Sequence, residues 1–443
     1  MEHLLAFISV AAVMLAILAI GRVFVRHRFD VMFLALLLMS YWYAFRPVQL
    51  ALALDTPAPD YLFPDGYLTL LMLAEATALL WCAGFALGAY SADVAGRPVM
   101  AFFPRLRGEP NVFLVLAGLA ATTALALAVT AWLFASSGGS LSDSIRYVKA
   151  EKAVTGFYFL RQFAVIGTLL SIFTLYYLAY LRRVRDMRVS LWWTAFVLGC
   201  FAINSFGVYA WGQRYAIAMA SVGLVAGYHF FIHRLSYVRL GLFALLFLSF
   251  FLGLRLIRDE LLFTADIVTP LDSPNILRKI AVSMHGSQFD ALLLVIRDFD
   301  LSAGLRWGED FWAGVSALVP RQFWPDRPSF NPGAWFRQIY EPETLNGWPI
   351  TPVGEWLVNF GYIGVAVGGA LSGFIVRAAQ RAYFDIWRNP WSMMMAVVVA
   401  LFLLPGGVTA ATPQSLLSTL FPLALVALLL RIAMPIRRTW GDM

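Results

Sequence analysis

Residues 4–28 read LLAFISVAAVMLAILAIGRVFVRHR. An unbroken apolar run of this kind needs about 20 residues to cross a bilayer as a helix. The arginines Arg22, Arg26 and Arg28 follow the run instead of preceding it, and the acidic Glu2 comes before it. That order differs from a secretory leader, so a retained span is expected. The pattern of an apolar run with arginines at one end recurs along the chain. Further runs lie at about 31–45, 67–90, 111–136, 159–181, 189–209, 213–232, 240–257, 352–376, 391–411 and 414–431. With 4–23 they make eleven expected spans.

Composition agrees with this. Of 443 residues, 60% are hydrophobic and 13% charged, whereas soluble domains are nearer half apolar and a quarter charged. A soluble globular enzyme, a disordered chain and a nucleic-acid-binding domain are excluded. The net charge of +7 is read as membrane-topology charge. Alternate connections hold 18 basic residues against six acidic ones. They run from Arg22/Arg26/Arg28 and Arg97/Arg105/Arg107 through Arg182–Arg188 and Arg234/Arg239 to Arg377/Arg381/Arg388 and Arg431/Arg437/Arg438. Cationic connections stay in the cytoplasm. The N-terminus is therefore expected outside and the C-terminus inside. Cys82 and Cys200 both sit in apolar runs, so neither a disulfide framework nor a cysteine metal site is expected.

The expected order is spans one to eight over 1–257, a large outer segment at 258–351, then spans nine to eleven and a cytoplasmic end over 352–443. The outer segment is rich in Trp, Phe and Leu, unlike a linker. Within it the spacing predicts an amphipathic helix over 275–297. Pro274 stands at its start, Ile276, Ile280, Met284, Ala291, Leu294 and Val295 form the stripe, and Asp290 lies off it. The Pro- and aromatic-rich stretch 319–335 is expected to be an ordered loop on the membrane surface.

Arginines placed at the outer face run against the positive-inside rule and point to an anionic ligand, because guanidinium forks match phosphate oxygens. Arg214 at the mouth of a span, and Arg255 and Arg258 three apart on one helical face, are the leading candidates. Arg146 follows with Lys149 and Lys152, and Arg321 and Arg327 bracket the Trp324-Pro325 turn. The alternative is that each pairs with an outward carboxylate such as Asp259 or Glu260. Among carboxylates, Glu355 stands at the mouth of the ninth expected span between Trp356, Phe360 and the Pro-rich loop. That setting suits a general base, and an arginine-paired structural carboxylate is the other reading. Asp290, Asp310 and Asp326 are rivals. Glu75 lies inside the third run, where an ionisable group is a functional candidate; it could equally bond a neighbouring helix, through Asn204 for instance. His285 stands alone and suits a structural hydrogen bond. No metal or cofactor motif is present.

The stretches VPRQFWPDRP (319–328), Asn331 and GWPITPVGEWLVNFGYIGVAVGG (347–369), together with HGSQFDALLLVI (285–296) and GQRYAIAM (212–219), resemble segments of O-antigen and oligosaccharide repeat-unit polymerases, the Wzy class. The resemblance covers roughly 200–376; the first five spans match in hydropathy only. Some family members separate an Arg and a Gly by ten residues in an outer loop. Here Arg146 and Gly156 have nine between them, so no role is carried to Gly156. The resemblance implies an all-α, GT-C-like membrane glycosyltransferase of the bacterial inner membrane, without cofactor or metal. The implied donor is an undecaprenyl-pyrophosphate-linked glycan and the acceptor a second lipid-linked repeat unit. Asp290 and Glu355 would be the candidate catalytic carboxylates. Arg214, Arg255, Arg258, Arg146, Arg321, Arg327, His285 and Trp324 would be the candidate substrate-binding residues. A chain-length regulator and a flippase are the implied protein partners, and nucleic acid is not one. An O-antigen ligase and a transporter or flippase of a lipid-linked saccharide are the alternatives.

Overall fold

The computed structural model describes residues 1–26, 30–95, 110–141, 143–144, 160, 162–183, 185–211, 214–236, 238–243, 245–246, 249, 287–298, 304–316, 323–324, 326, 332–342, 347–348, 350–382 and 424–433. Among these residues there is no strand. Seven helical stretches are long and apolar enough to cross a membrane. They are α1 (Glu2–Phe24), the continuous stretch Val31–Ala51, α4 (Leu68–Ala95), α5 (Val112–Ser136), α6 (Gln162–Arg183), α7 (Leu191–Ala210) and α12 (Pro352–Gln380). The protein is thus an all-helical polytopic membrane protein. The expected run at 213–232 is also helical, as α8 (Arg214–Gly227) and a π segment (Tyr228–Ile232). The runs at 240–257, 391–411 and 414–431 fall wholly or largely outside the described residues.

The chain forms two compact units. In the second unit, the buried Asn204 of α7 donates to Thr123 Oγ1 of α5 at 2.8 Å and to its own helix at Cys200 O. A Cβ on Gly167 of α6 would collide with that carboxamide. Asn204 spends its donors inside its own unit, and both Glu75 carboxylate oxygens are buried with no hydrogen-bond partner among the described residues.

The first unit holds α1, Val31–Ala51, α4, α12 and three shorter helices: α9 (Ser287–Asp298), α10 (Glu309–Ser316) and α11 (Pro332–Tyr340). Its centre is the contact between α4 and α12, made through glycine. A Cβ on Gly84 or Gly88 would stand 2.3 Å from Ala366 O or 1.8 Å from Ala370 O. Reciprocally, Gly369 and Gly373 lie against Trp81 O and Phe85 O. Both pairs are spaced i, i+4, the small-residue pattern that lets two helix backbones touch where water supplies no hydrophobic drive.

The second expected span is longer than its apolar run. α2 (Val31–Ser40) passes through a π segment (Tyr41–Phe45) into α3 (Arg46–Ala51), so Arg46 and Pro47 lie inside the helical stretch and not in a loop. A π turn already breaks the ordinary hydrogen-bond register, and Pro47 sits in the first turn after it, where its missing N–H costs little.

Polar contacts lock both ends of this unit. At one end Arg377, 3% exposed, grips Asp93 through Nε and Nη2 at 2.9 and 3.1 Å and reaches Phe24 O. Gln380 reaches Asp30, which itself caps α2 by accepting from Phe33 N. At the other end, His3 lies 3.0 Å from Ala51 O, and Tyr67 donates to Leu50 O. The N-terminus, the 52–67 connection and the described part of 287–342 share this end.

The described part of the helix expected over 275–297 is α9. Phe289, Asp290 and Leu292 to Val295 are all 0% exposed, and only the last turn opens to solvent. Asp290 lies off the apolar stripe as expected, yet it is buried because it meets a buried arginine. Residues 275–286 lie outside the described residues.

Candidate functional site

Two carboxylates, Asp290 buried and Glu355 half-buried, flank the same end of the first unit, and their surroundings differ. Asp290 faces Arg46. The Arg46 guanidinium places Nε and Nη2 on Asp290 Oδ1 and Oδ2 at 3.0 and 2.8 Å. Its remaining donors go to Gln49 Oε1, Asp55 Oδ2 and Thr56 O. All five guanidinium N–H groups are thereby used. Asp290 Oδ2 also accepts from Ala58 N. This cluster ties α3, the 55–58 connection and α9 together, and both oxygens of Asp290 are engaged, Oδ1 by one donor and Oδ2 by two.

Glu355 sits in the first turn of α12. Thr351 caps that turn, its Oγ1 accepting from Gly354 N at 3.3 Å, and Pro352 occupies the first helical position. α12 is interrupted at Gly361, whose φ of 66° and ψ of −161° are open to glycine and strained for other residues. The axis turns sharply there. The Trp356 ring lies 2.4 Å from where a Cβ on Gly368 would be, although twelve residues of straight helix would separate them by about 18 Å. The break frees carbonyls at the end of the first segment. Two of them, Val358 O and Asn359 O, are taken up by the backbone N–H groups of Arg306 and Trp307 at 3.1 and 3.0 Å.

Those bonds bring α10 against Glu355. Phe311 packs edge-on against Trp356 and Phe360, with ring centres 4.8 and 5.1 Å away. Asp310, 7% exposed, accepts from Asn359 Nδ2 at 2.7 Å and from Arg306 Nε at 3.1 Å. Arg306 in turn lies over the Trp335 ring, 4.2 Å from its centre. Burial pushes the Asp310 carboxyl above its ordinary value, against the pull of Asn359 and Arg306. Asn359 links Asp310 to the Glu355 turn, its Nδ2 also donating to Glu355 O at 2.9 Å. Among the described residues Glu355 makes no ion pair, and its Oε2 is shielded from solvent with no hydrogen-bond partner. A carboxylate left with an open acceptor, beside a second one that is fixed in place, can take a proton from a bound hydroxyl.

The structure therefore brings Glu355 together with Asp310, a lesser rival in the sequence, and separates it from Asp290, which belongs to the Arg46 cluster. Asp326 is exposed and Trp324 is half-buried. Arg214 opens α8, in the second unit. Arg146, Arg255, Arg258, His285, Arg321 and Arg327 lie outside the described residues. Sequence reasoning missed Arg46, Arg306 and Asn359. Arg306 and Asp310, and likewise Glu355 and Asn359, are spaced i, i+4, the one local signal that was available.

Compared with protein-family models, with curated proteins and with solved structures, the chain matches none.

Proposed function

We propose that the protein polymerises oligosaccharide repeat units linked to undecaprenyl pyrophosphate, at the outer face of a bacterial inner membrane. In this reading the chain has eleven spans in a GT-C-like arrangement, with a periplasmic N-terminus and a cytoplasmic C-terminus. The observation that carries the proposal is the open, shielded Oε2 of Glu355 inside the very segment, 347–369, whose residues resemble the polymerase class.

Glu355 is the general base. The acceptor sugar's hydroxyl oxygen attacks the anomeric carbon of the donor glycan and passes its proton to Glu355. The bond from that carbon to the pyrophosphate oxygen breaks, and lipid pyrophosphate leaves with the electron pair. Arg214 and Arg255, with Arg146, Arg258, Arg321 and Arg327, are the residues proposed to hold the pyrophosphate and offset its developing charge. The aromatic cluster of Phe311, Trp356 and Phe360 keeps water from the base, and so from the donor.

A deletion strain tests the proposal. It should accumulate lipid-linked single repeats and lose long surface polysaccharide, and the intact gene should restore the polymer. Full-length surface polymer in the deletion strain overturns the reading. Polymer that forms but is never joined to lipid A core points to a ligase instead. Single repeats trapped on the cytoplasmic leaflet point to transport.

A further inference from the structure

Asn359 is 0% exposed and lies one helical turn after Glu355. Its carboxamide orientation is settled by chemistry. The nitrogen donates to Asp310 Oδ2 at 2.7 Å and to Glu355 O at 2.9 Å. One partner is a carboxylate held by a guanidinium and the other is a carbonyl, and both only accept. A flipped amide would set oxygen against oxygen at both contacts. So Asn359 Oδ1 must face the other way, and there it is buried with no hydrogen-bond partner among the described residues. Glu355 Oε2 is in the same condition. Side chains four apart on a helix lie side by side, and buried acceptors without a partner are rare enough in folded proteins to need a reason.

We infer that Asn359 Oδ1 and Glu355 Oε2 form a paired acceptor for two neighbouring donors on the acceptor sugar, the hydroxyl that reacts and a hydroxyl or amide N–H on an adjacent ring carbon. This rests on the polymerase reading and adds to it a specificity-determining residue and a substrate class. Glu355 takes the proton of the reacting hydroxyl. Asn359 holds the neighbouring donor and so fixes which hydroxyl faces the base. A sugar without that neighbour leaves the Asn359 oxygen buried and unmet, and sites of this kind discriminate strongly against such analogues.

The test uses the full-length protein in proteoliposomes, with the lipid-linked single repeat isolated from the deletion strain as donor. The acceptors are that repeat and analogues lacking, one at a time, each hydroxyl or amide N–H of the terminal sugar. With the wild-type protein, loss of a donor beside the reacting hydroxyl should lower kcat/KM about 5- to 150-fold, the cost of one buried acceptor left unmet. Loss of more distant hydroxyls should have little effect. Asn359→Leu should lower kcat/KM for the native acceptor by a similar factor, and should no longer distinguish the analogue from the native acceptor. Should Asn359→Leu fail to fold, the analogue series on the wild-type protein decides alone. Equal use of every analogue by an active wild-type protein overturns this inference and leaves the polymerase reading standing. A wild-type protein that forms no polymer from the native repeat overturns both.

Discussion

Asp290 and Glu355 are both carboxylates shielded at one end of the same helical unit, but they occupy opposite kinds of surroundings. Asp290 receives two guanidinium contacts and a backbone N–H, from a guanidinium with no donor to spare. Glu355 has an aromatic wall, a neighbouring carboxylate and one oxygen with nothing to bond to. Burial alone therefore says little about a carboxylate's role. What separates them is whether the donors around each were supplied by the fold. A saturated carboxylate holds segments together. An unsaturated one is a cost to the fold that persists only where something else is gained.

The largest expected effect is on rate. Glu355→Gln keeps shape but cannot accept a proton, and repeat-unit polymerisation by purified protein should fall about 10²- to 10⁴-fold. Its thermal unfolding in detergent should be unchanged or slightly later, since a half-buried charge-bearing group is replaced by a neutral one. Next comes the saturated cluster. Arg46→Ala strands Asp290 and Asp55, and breaking a buried pair costs about 3–5 kcal/mol. The same unfolding measurement should show it, with activity falling only as folded protein is lost. If Asp290→Asn kept full stability and yet lost activity as deeply as Glu355→Gln, the contrast between the two sites would collapse.

A smaller effect sharpens the comparison at the centre of the unit. Gly88→Ala places a methyl group against Ala370 O and should cost about 1–3 kcal/mol, as overpacked sites do. Gly199 in α7, whose Cβ position has nothing within 4 Å, should accept alanine without loss of stability. The smallest belongs to the half-exposed pair Arg337–Glu341, 2.6 Å apart with side chains 22% and 24% exposed. Glu341→Ala should change stability by about 1 kcal/mol or less.

The long helices were legible because hydropathy over twenty residues is a strong, local signal. The second span was misjudged at its end because Arg46-Pro47 looks like a stop, and a π turn leaves no periodic trace. The burial of Asp290 in α9 was hidden for a related reason. Its polar residue implied a wet face, and the partner that buries it stands 244 residues earlier in the chain. Glu355 was legible from its aromatic neighbours and its place at a helix mouth. The orientation of Asn359 was not, since it depends on Asp310, 49 residues away. The Gly-x-x-x-Gly pairs at 84/88 and 369/373 are plain in the sequence, but which helix each meets is set by the fold.

The bend at Gly361 has a different kind of robustness. The two bonds that hold the freed carbonyls of Val358 and Asn359 are donated by main-chain nitrogens of residues 306 and 307, not by side chains. Every amino acid except proline carries that donor. The bend therefore does not depend on the side chains at 306 and 307, although the Arg306 side chain separately holds Asp310 and the backbone is left-handed at Trp307 and Gly308, with φ of 51° and 83°. A bend made this way is carried by the path of the chain more than by the side chains that donate to it.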